Sequence, residues 1–304
     1  MTDLLNGVAE LTHLGVIAVD GDDAATFLQG QMTQDFALLD MDHARLAAYC
    51  TAKGRMQASF IGIRTAKGFL LVTSRDILPA TLKRLSMFVL RAKAKLRDAT
   101  AEFSLHGLAG EAANRAMPGD AEPWSRVDVG AASVVRLYPA DGQARALWIV
   151  PVGEAAPSAA ALDASSWAWG EVRAGVAMIT APIVEAFVPQ MLNYESIGGV
   201  NFKKGCYPGQ EVVARSQFRG TLKRRAWLAH ADAPLTVGQE IFHESDPSQP
   251  CGVVVQAAPA PRGGWDAIVS IQLSATNSGA VTTAQPDCAR VALSPPPYPL
   301  LADV

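Results

Sequence analysis

The chain has 304 residues, 49% of them hydrophobic and 18% charged, with a formal net charge of −3. This is the composition of a globular protein with a sizeable core, and on length it predicts two domains or three small ones. The charge argues against a surface built throughout for nucleic acid, and the lack of an apolar run of about 18 residues argues against a membrane-spanning helix.

The N-terminus MTDLLNGVAELTHLG lacks a basic leader. With Cys50, Cys206, Cys251 and Cys288 far apart and no CxxC pair, the reading is a cytoplasmic protein without a disulfide framework and without a stably bound metal.

Leu14–Asp20 (LGVIAVD) reads as a strand, and Gly21-Asp22 breaks it and can cap the next helix, DDAATFLQGQM. RLAAYCT and RMQASFIGI form a hairpin with Gly54 in its turn, and GFLLVTS is a further strand. Asp76 can cap a helix over DILPATLKRLSMFVL, followed by a strand AKAKLRD. A helix is predicted through WAWGEVRAGVAMI, ending near Gly175. After Lys223, RRAWLAHA, CGVVVQAA, WDAIVSIQL and ARVALS are short β runs split by Pro and Gly. They predict an all-β barrel or sandwich from about residue 220 to the end. The class is therefore α+β, with residues 1–219 as a body and 220–304 as a β-barrel-like domain. PPPYPL near the C-terminus reads as a stiff packing tail.

The densest chemistry lies in Asn201–Arg215, NFKKGCYPGQEVVAR. Cys206 follows Lys203, Lys204 and Gly205, and cations and free backbone N–H groups favour a thiolate. The alternative is a buried cysteine used as a small hydrophobe. Gln210 and Glu211 supply both hydrogen-bond polarities and could read the edge of a flat heterocycle. Alternatively, Glu211 caps a helix or pairs with Arg215. Arg215, Arg219, Lys223, Arg224 and Arg225 follow with Phe218 among them. Read as the chain's one basic cluster, they point to a local anion site or to a solvated face.

Four segments together resemble the YgfZ-type folate-binding family. KGCYPGQEVVAR resembles its K-G-C-Y-x-G-Q-E signature, GDDAATFLQGQMTQD its N-terminal motif, YCTAKGRMQASF its C-x-x-K-G-[RK] hairpin, and FVPQMLNYESIGGVNFKKGCY its approach to the signature. The resemblance spans most of residues 14 to 225. It implies the fold of the glycine cleavage aminomethyltransferase (T-protein): three lobes around a central folate pocket, the last one barrel-like. It also implies a tetrahydrofolate-binding accessory factor for assembly or repair of iron–sulfur clusters in client enzymes, among them radical enzymes that modify tRNA. Cys206 is then the reactive thiol, helped by Lys203 or Lys204. The folate-binding residues implied are Trp167, Leu14, Tyr207, Gln210, Glu211 and Arg215. The family's E-A-G reads Arg173-Ala174-Gly175 here, and its first tryptophan position is Leu14.

Ala58 and Ser59 stand where a T-protein hairpin carries acidic residues, which disfavours the main alternative, an aminomethyl transferase. An RNA- or protein-binding module using Arg215–Arg225 is a third reading, though direct nucleic-acid binding is not expected.

Overall fold

The computed structural model describes residues 4–218, 222–277, 279–284 and 288–301. The chain opens with strands β1 (Gly7–Glu10) and β2 (Leu14–Asp20), then helix α1 (Ala24–Gln29). Strands β3 (Ala44–Cys50), β4 (Met56–Thr65) and β5 (Gly68–Ser74) lead to helix α2 (Leu78–Ser86) and strand β6 (Lys95–Asp98). Next come β7 (Phe103–Ala109), α3 (Glu111–Ala116), β8 (Arg126–Val129), β9 (Ala132–Ala140) and β10 (Gln143–Pro151). Helices α4 (Ala164–Arg173) and α5 (Gln210–Phe218) follow. The chain ends with β11 (Arg224–Ala231), β12 (Glu240–His243), β13 (Asp246–Pro259), β14 (Trp265–Gln272), β15 (Val281–Thr283) and β16 (Arg290–Ser294).

Three sheets result. One has the order β3-β4-β5-β2-β6, a second has the order β1-β7-β10-β9-β8, and β11-β14-β13-β12-β15-β16 close into a barrel. The first two lobes interleave, because β1 joins the second sheet and β2, three residues on, joins the first. Strands β2 to β5 are largely buried along their length. In β2 the pattern is buried from Leu14 to Val19 without alternation, as expected when both faces of a sheet are packed. One continuous apolar core links both sheets, α4 and part of the barrel.

The predicted β3–β4 hairpin forms, with Gly54 at φ +70° in its turn. The C-terminal β runs form the barrel. Pro297 and Tyr298 pack on Gly175, and the Tyr298 hydroxyl donates to the Gly175 carbonyl at 2.7 Å.

Two predicted caps are corrected. The α1 cap position is Asp23, whose carboxylate accepts from Lys93 N (2.7 Å) and leaves the helix uncapped by a side chain. Asp76 accepts from the Ser74 hydroxyl and from Ala181 N, 2.7 and 2.8 Å away, and does not cap α2. In both cases a distant backbone donor took the carboxylate that local spacing offered to the helix. Both helices are also shorter than predicted.

Candidate functional site

A cleft lies where the three lobes meet, with about 530 Å³ of empty space that is partly open to solvent. The first sheet contributes Ser59 and Phe60 of β4. The second contributes Tyr138 and Arg145, α4 contributes Glu171, and the barrel contributes Gln256 from β13. An outer pocket of about 910 Å³ shares Glu171, Met178 and Gln256 with it and adds His13. The two are thus contiguous at those residues.

Glu171 is the one carboxylate among the described residues lining the inner cleft. Trp167 Nε1, one turn earlier on α4, donates to Glu171 Oε1 at 3.0 Å. His13 Nε2 lies 3.4 Å from the same oxygen, and Gln256 Nε2 donates to Oε2 at 3.4 Å. The Arg145 guanidinium sits over the Trp167 ring, 4.3 Å from its centroid. The buried Arg145 Nε has no hydrogen-bond partner.

Burial acts to raise the Glu171 pKa, but the His13 hydrogen bond and charge, the Arg145 charge and the Trp167 donor outweigh it, so the group stays ionised below the usual range. Burial likewise lowers the Arg145 pKa to about 10, against the pull of Glu171. For His13, burial lowers the pKa, yet the Glu171 hydrogen bond and charge raise it above 6.5 overall.

These shifts predict a pH dependence. A raised His13 pKa contributes stability that is complete below 6.5 and lost as pH rises through the folded value. A lowered Glu171 pKa contributes above 4.5 and is lost as pH falls through its folded value. The pair therefore stabilises most between those limits. The melting temperature of wild type should exceed that of His13→Gln at about pH 6, with the gap narrowing by about pH 8. A gap that is constant with pH would show that the pair does not titrate in this way.

The cleft also corrects the predicted stacking role of Trp167. The residue is only 1% exposed. Arg145 covers one part of its ring, and a Cβ added at Gly107 would lie 2.6 Å from the indole. The ring has no face left for a ligand and serves the cleft by holding Glu171 and Arg145. Leu14 is buried in the core, pairs with Ser74 and does not line the cleft, whereas His13 beside it lines the outer pocket. Four aromatic side chains do line the cleft, Phe60, Trp124, Tyr138 and Tyr194, and the ring centroids of Trp124 and Tyr138 are 5.8 Å apart.

Tyr207, Gln210, Glu211 and Arg215 line neither pocket. Glu211 is 82% exposed at its side chain and pairs with Arg215 at 2.6 Å along α5, the local alternative named above. Arg224 donates to the carbonyls of Cys251 and Pro250, and Arg225 is buried against Glu195. Arg219 lies outside the described residues. Of the expected basic cluster, Arg215, Arg224 and Arg225 are thus engaged by Glu211, by backbone carbonyls and by Glu195, and Lys223 is exposed.

The signature loop lies apart from both pockets. Gly209, at φ +81°, rests on the β3–β4 turn so closely that a Cβ there would meet Thr51 O at 2.4 Å and Gly54 Cα at 2.7 Å. Cys206 is exposed and unbridged. Lys204 is buried; its ammonium donates to the carbonyls of Gln29 and Met32 at the end of α1, the latter at 2.6 Å, and lies 4.9 Å from the Tyr207 ring centroid. Burial lowers its pKa to about 8, opposed by the charges of Asp35 and Cys206. Lys203 is exposed. Cys50, buried with its pKa raised to about 12, is an electrostatic neighbour of both Tyr207 and the cleft residue Tyr194. No group of three or more His, Cys, Asp or Glu residues able to hold a metal gathers among the described residues. No helix there is long and apolar enough to cross a membrane.

The tRNA-modifying protein YgfZ of Escherichia fergusonii is 31% identical to this chain over 240 residues, 73% of this chain and 71% of that protein. The chain belongs to the YgfZ family. No protein-family model matches the chain. Among solved structures, the crystal structure of glycine cleavage system aminomethyltransferase T from Bartonella henselae covers 97% of this chain and 86% of its own, with a TM-score of 0.64 and 18% identity. That likeness establishes the T-protein-like fold of this YgfZ family member. Heterotetrameric sarcosine oxidase from Corynebacterium sp. U-96, in complex with pyrrole 2-carboxylate, overlaps 46% of the chain with a TM-score of 0.33 and 15% identity. An overlap of that extent carries no argument.

Proposed function

We propose that this protein is a tetrahydrofolate-binding accessory factor that serves assembly or repair of iron–sulfur clusters in client enzymes, including tRNA-modifying ones. It would work in the reducing cytoplasm, with the body to about residue 219 binding folate and the barrel closing one wall of the cleft. The observation that carries the reading is Glu171, an ionised carboxylate held by three donors at the junction of the three lobes.

The residues fit a reduced pterin. Glu171 offers an acceptor to a heterocycle edge that presents N–H donors, and Tyr138 and Trp124 offer aromatic walls. Arg145, buried with an unsatisfied Nε, offers a donor that nothing in the protein uses. When bound, tetrahydrofolate would supply a one-carbon carrier and an already reduced, oxidisable ring; the protein's own residues bind it and shield it.

The transferase reading is disfavoured at the hairpin, where no carboxylate stands. Ala58 is fully buried, and Ser59 Oγ accepts from Ile179 N at 2.9 Å. Neither titrates near neutral pH. Cys206, on the separate signature loop, is the group assigned to the client's cluster as substrate.

Calorimetric titration with tetrahydrofolate tests the reading. Wild type and Cys206→Ala should bind alike. Glu171→Gln, nearly isosteric, should bind about 10–100-fold more weakly, the loss expected for hydrogen bonds to a charged acceptor. Failure of wild type to bind would overturn the folate assignment.

A further inference from the structure

Between Asp76 and Asp98 the chain carries Lys83, Arg84, Arg91, Lys93, Lys95 and Arg97 and no carboxylate, although its net charge is −3. The run at 215–225 is therefore not the chain's one basic cluster; here apolar residues separate the cations. Arg97 pairs with Asp20 and Glu102, and Lys93 lies 3.8 Å from Asp22. Lys83, Arg91 and Lys95 are exposed and form no ion pair among the described residues.

Among these cations stand bare apolar side chains: Met87 is 67% exposed, Phe88 44% and Leu90 89%. They are not on a loose loop. Met87 N, Phe88 N, Val89 N and Ala92 N each donate to a carbonyl three residues back, in tight turns that continue α2. Leu90 is held at φ +43°, a conformation that disfavours a bulky side chain. Beside this tip runs a groove of about 940 Å³ between α2 and residues 181–184, lined by Met87 and Val184, by Lys83 and Arg84, and by Asp76, whose carboxylate is engaged by Ser74 and Ala181.

We infer that this face docks an acidic segment of a partner protein that presents apolar anchors. The three unpaired cations offer charge to carboxylates, and the exposed apolar tip and groove offer surface for apolar side chains to cover. A nucleic-acid backbone would satisfy the charges but leave Met87 and Leu90 in water. An anionic bilayer would cover the tip but not fill a concave groove.

The face is tied to the signature loop. Lys93 N and O bond to Asp23 at the start of α1, while Lys204 bonds to the carbonyls at its end. A helix of that length separates the two by roughly 10 Å. Tyr49, in the groove, precedes Cys50, the neighbour of Tyr207. A partner seated here would be held near Cys206. The inference does not depend on what the cleft binds.

The test uses the full chain and a fluorescein-labelled helical peptide of glutamates with leucine and phenylalanine on one face, followed by anisotropy at low salt. Wild type should bind it. The triple variant Lys83→Glu/Arg91→Glu/Lys95→Glu and the double variant Met87→Ser/Leu90→Ser should each bind at least about tenfold more weakly, with unchanged melting, since all five side chains are exposed. A peptide with lysines in place of the glutamates should not bind. The inference is overturned if wild type ignores the acidic peptide, if both variants bind as well as wild type, or if bulk tRNA or vesicles with anionic lipid bind through these residues in the peptide's place.

Discussion

Cys206→Ser should abolish support of client enzymes while leaving fold and folate binding intact. The thiol is exposed on a loop whose shape other residues fix. Gly209 is nested on the hairpin turn, Tyr207 is buried, and Lys204 anchors the loop to α1. The loop therefore presents Cys206 on a fixed rim, and a serine would sit in the same place. What serine lacks is chemistry: its hydroxyl is a far weaker nucleophile, toward sulfur above all, and a poor ligand for iron. In a bacterium deleted for its own family member, expression of wild type should restore activity of an iron–sulfur tRNA-modifying enzyme. Cys206→Ser should leave that activity at the empty-vector level. Its melting temperature and its tetrahydrofolate titration should match wild type. Full restoration by the serine variant would mean that the signature loop acts by shape alone. Lys204→Met would behave differently. It removes both bonds to the end of α1, so it should lower the melting temperature, whereas the chemistry of Cys206 is asked for by the serine variant alone.

The fold was legible where the period of the pattern and the punctuation agreed. The hairpin at Gly54 and the four β runs after Lys223 are such places. The sheet built from β7, β8, β9 and β10 was not recognised, although FSLHGLA, ASVVRLYPA and QARALWIVP fill it. Three of its arginines, Arg126, Arg136 and Arg145, are buried, and a cation within an apolar run blurs the strand signal. The signature loop was legible as a motif, yet its position outside the cleft was not, because that depends on Gly209 meeting Gly54 across more than 150 residues of chain. Glu171 was not legible either. A W-x-x-x-E spacing puts Trp167 and Glu171 on one face of α4, but i,i+4 pairs are common on any helix and only the fold shows that this face meets the cleft. Arg173 instead binds Asp141 at 2.8 Å on the other side of that helix.

Glu195→Ala should give the largest loss of stability, about 3–5 kcal/mol, by leaving the Arg225 guanidinium buried without its carboxylate. Both side chains are almost fully buried. Glu195 also accepts from the Ser196 hydroxyl at 2.9 Å, and Arg225 Nη2 donates to the Leu301 carbonyl at 3.2 Å. The pair thus joins three pieces of chain: the approach to the signature, the first barrel strand and the C-terminal segment. Asn193 reinforces the same junction through two bonds to the Ala226 backbone, 2.9 and 3.2 Å long. A scan of thermal unfolding should show the midpoint of Glu195→Ala lowered by about 10 °C. The double variant Glu195→Leu/Arg225→Met should recover most of that loss, since it removes the charge with its partner. The functional consequence follows from what the junction carries. Tyr194, next to Glu195, and Gln256, on the barrel, both line the cleft. A loosened barrel would separate Gln256 from Glu171, so Glu195→Ala should also bind tetrahydrofolate more weakly even below its melting transition. Equal affinity in that variant would mean that the cleft is shaped by α4 and the two open sheets alone, with the barrel as a cover.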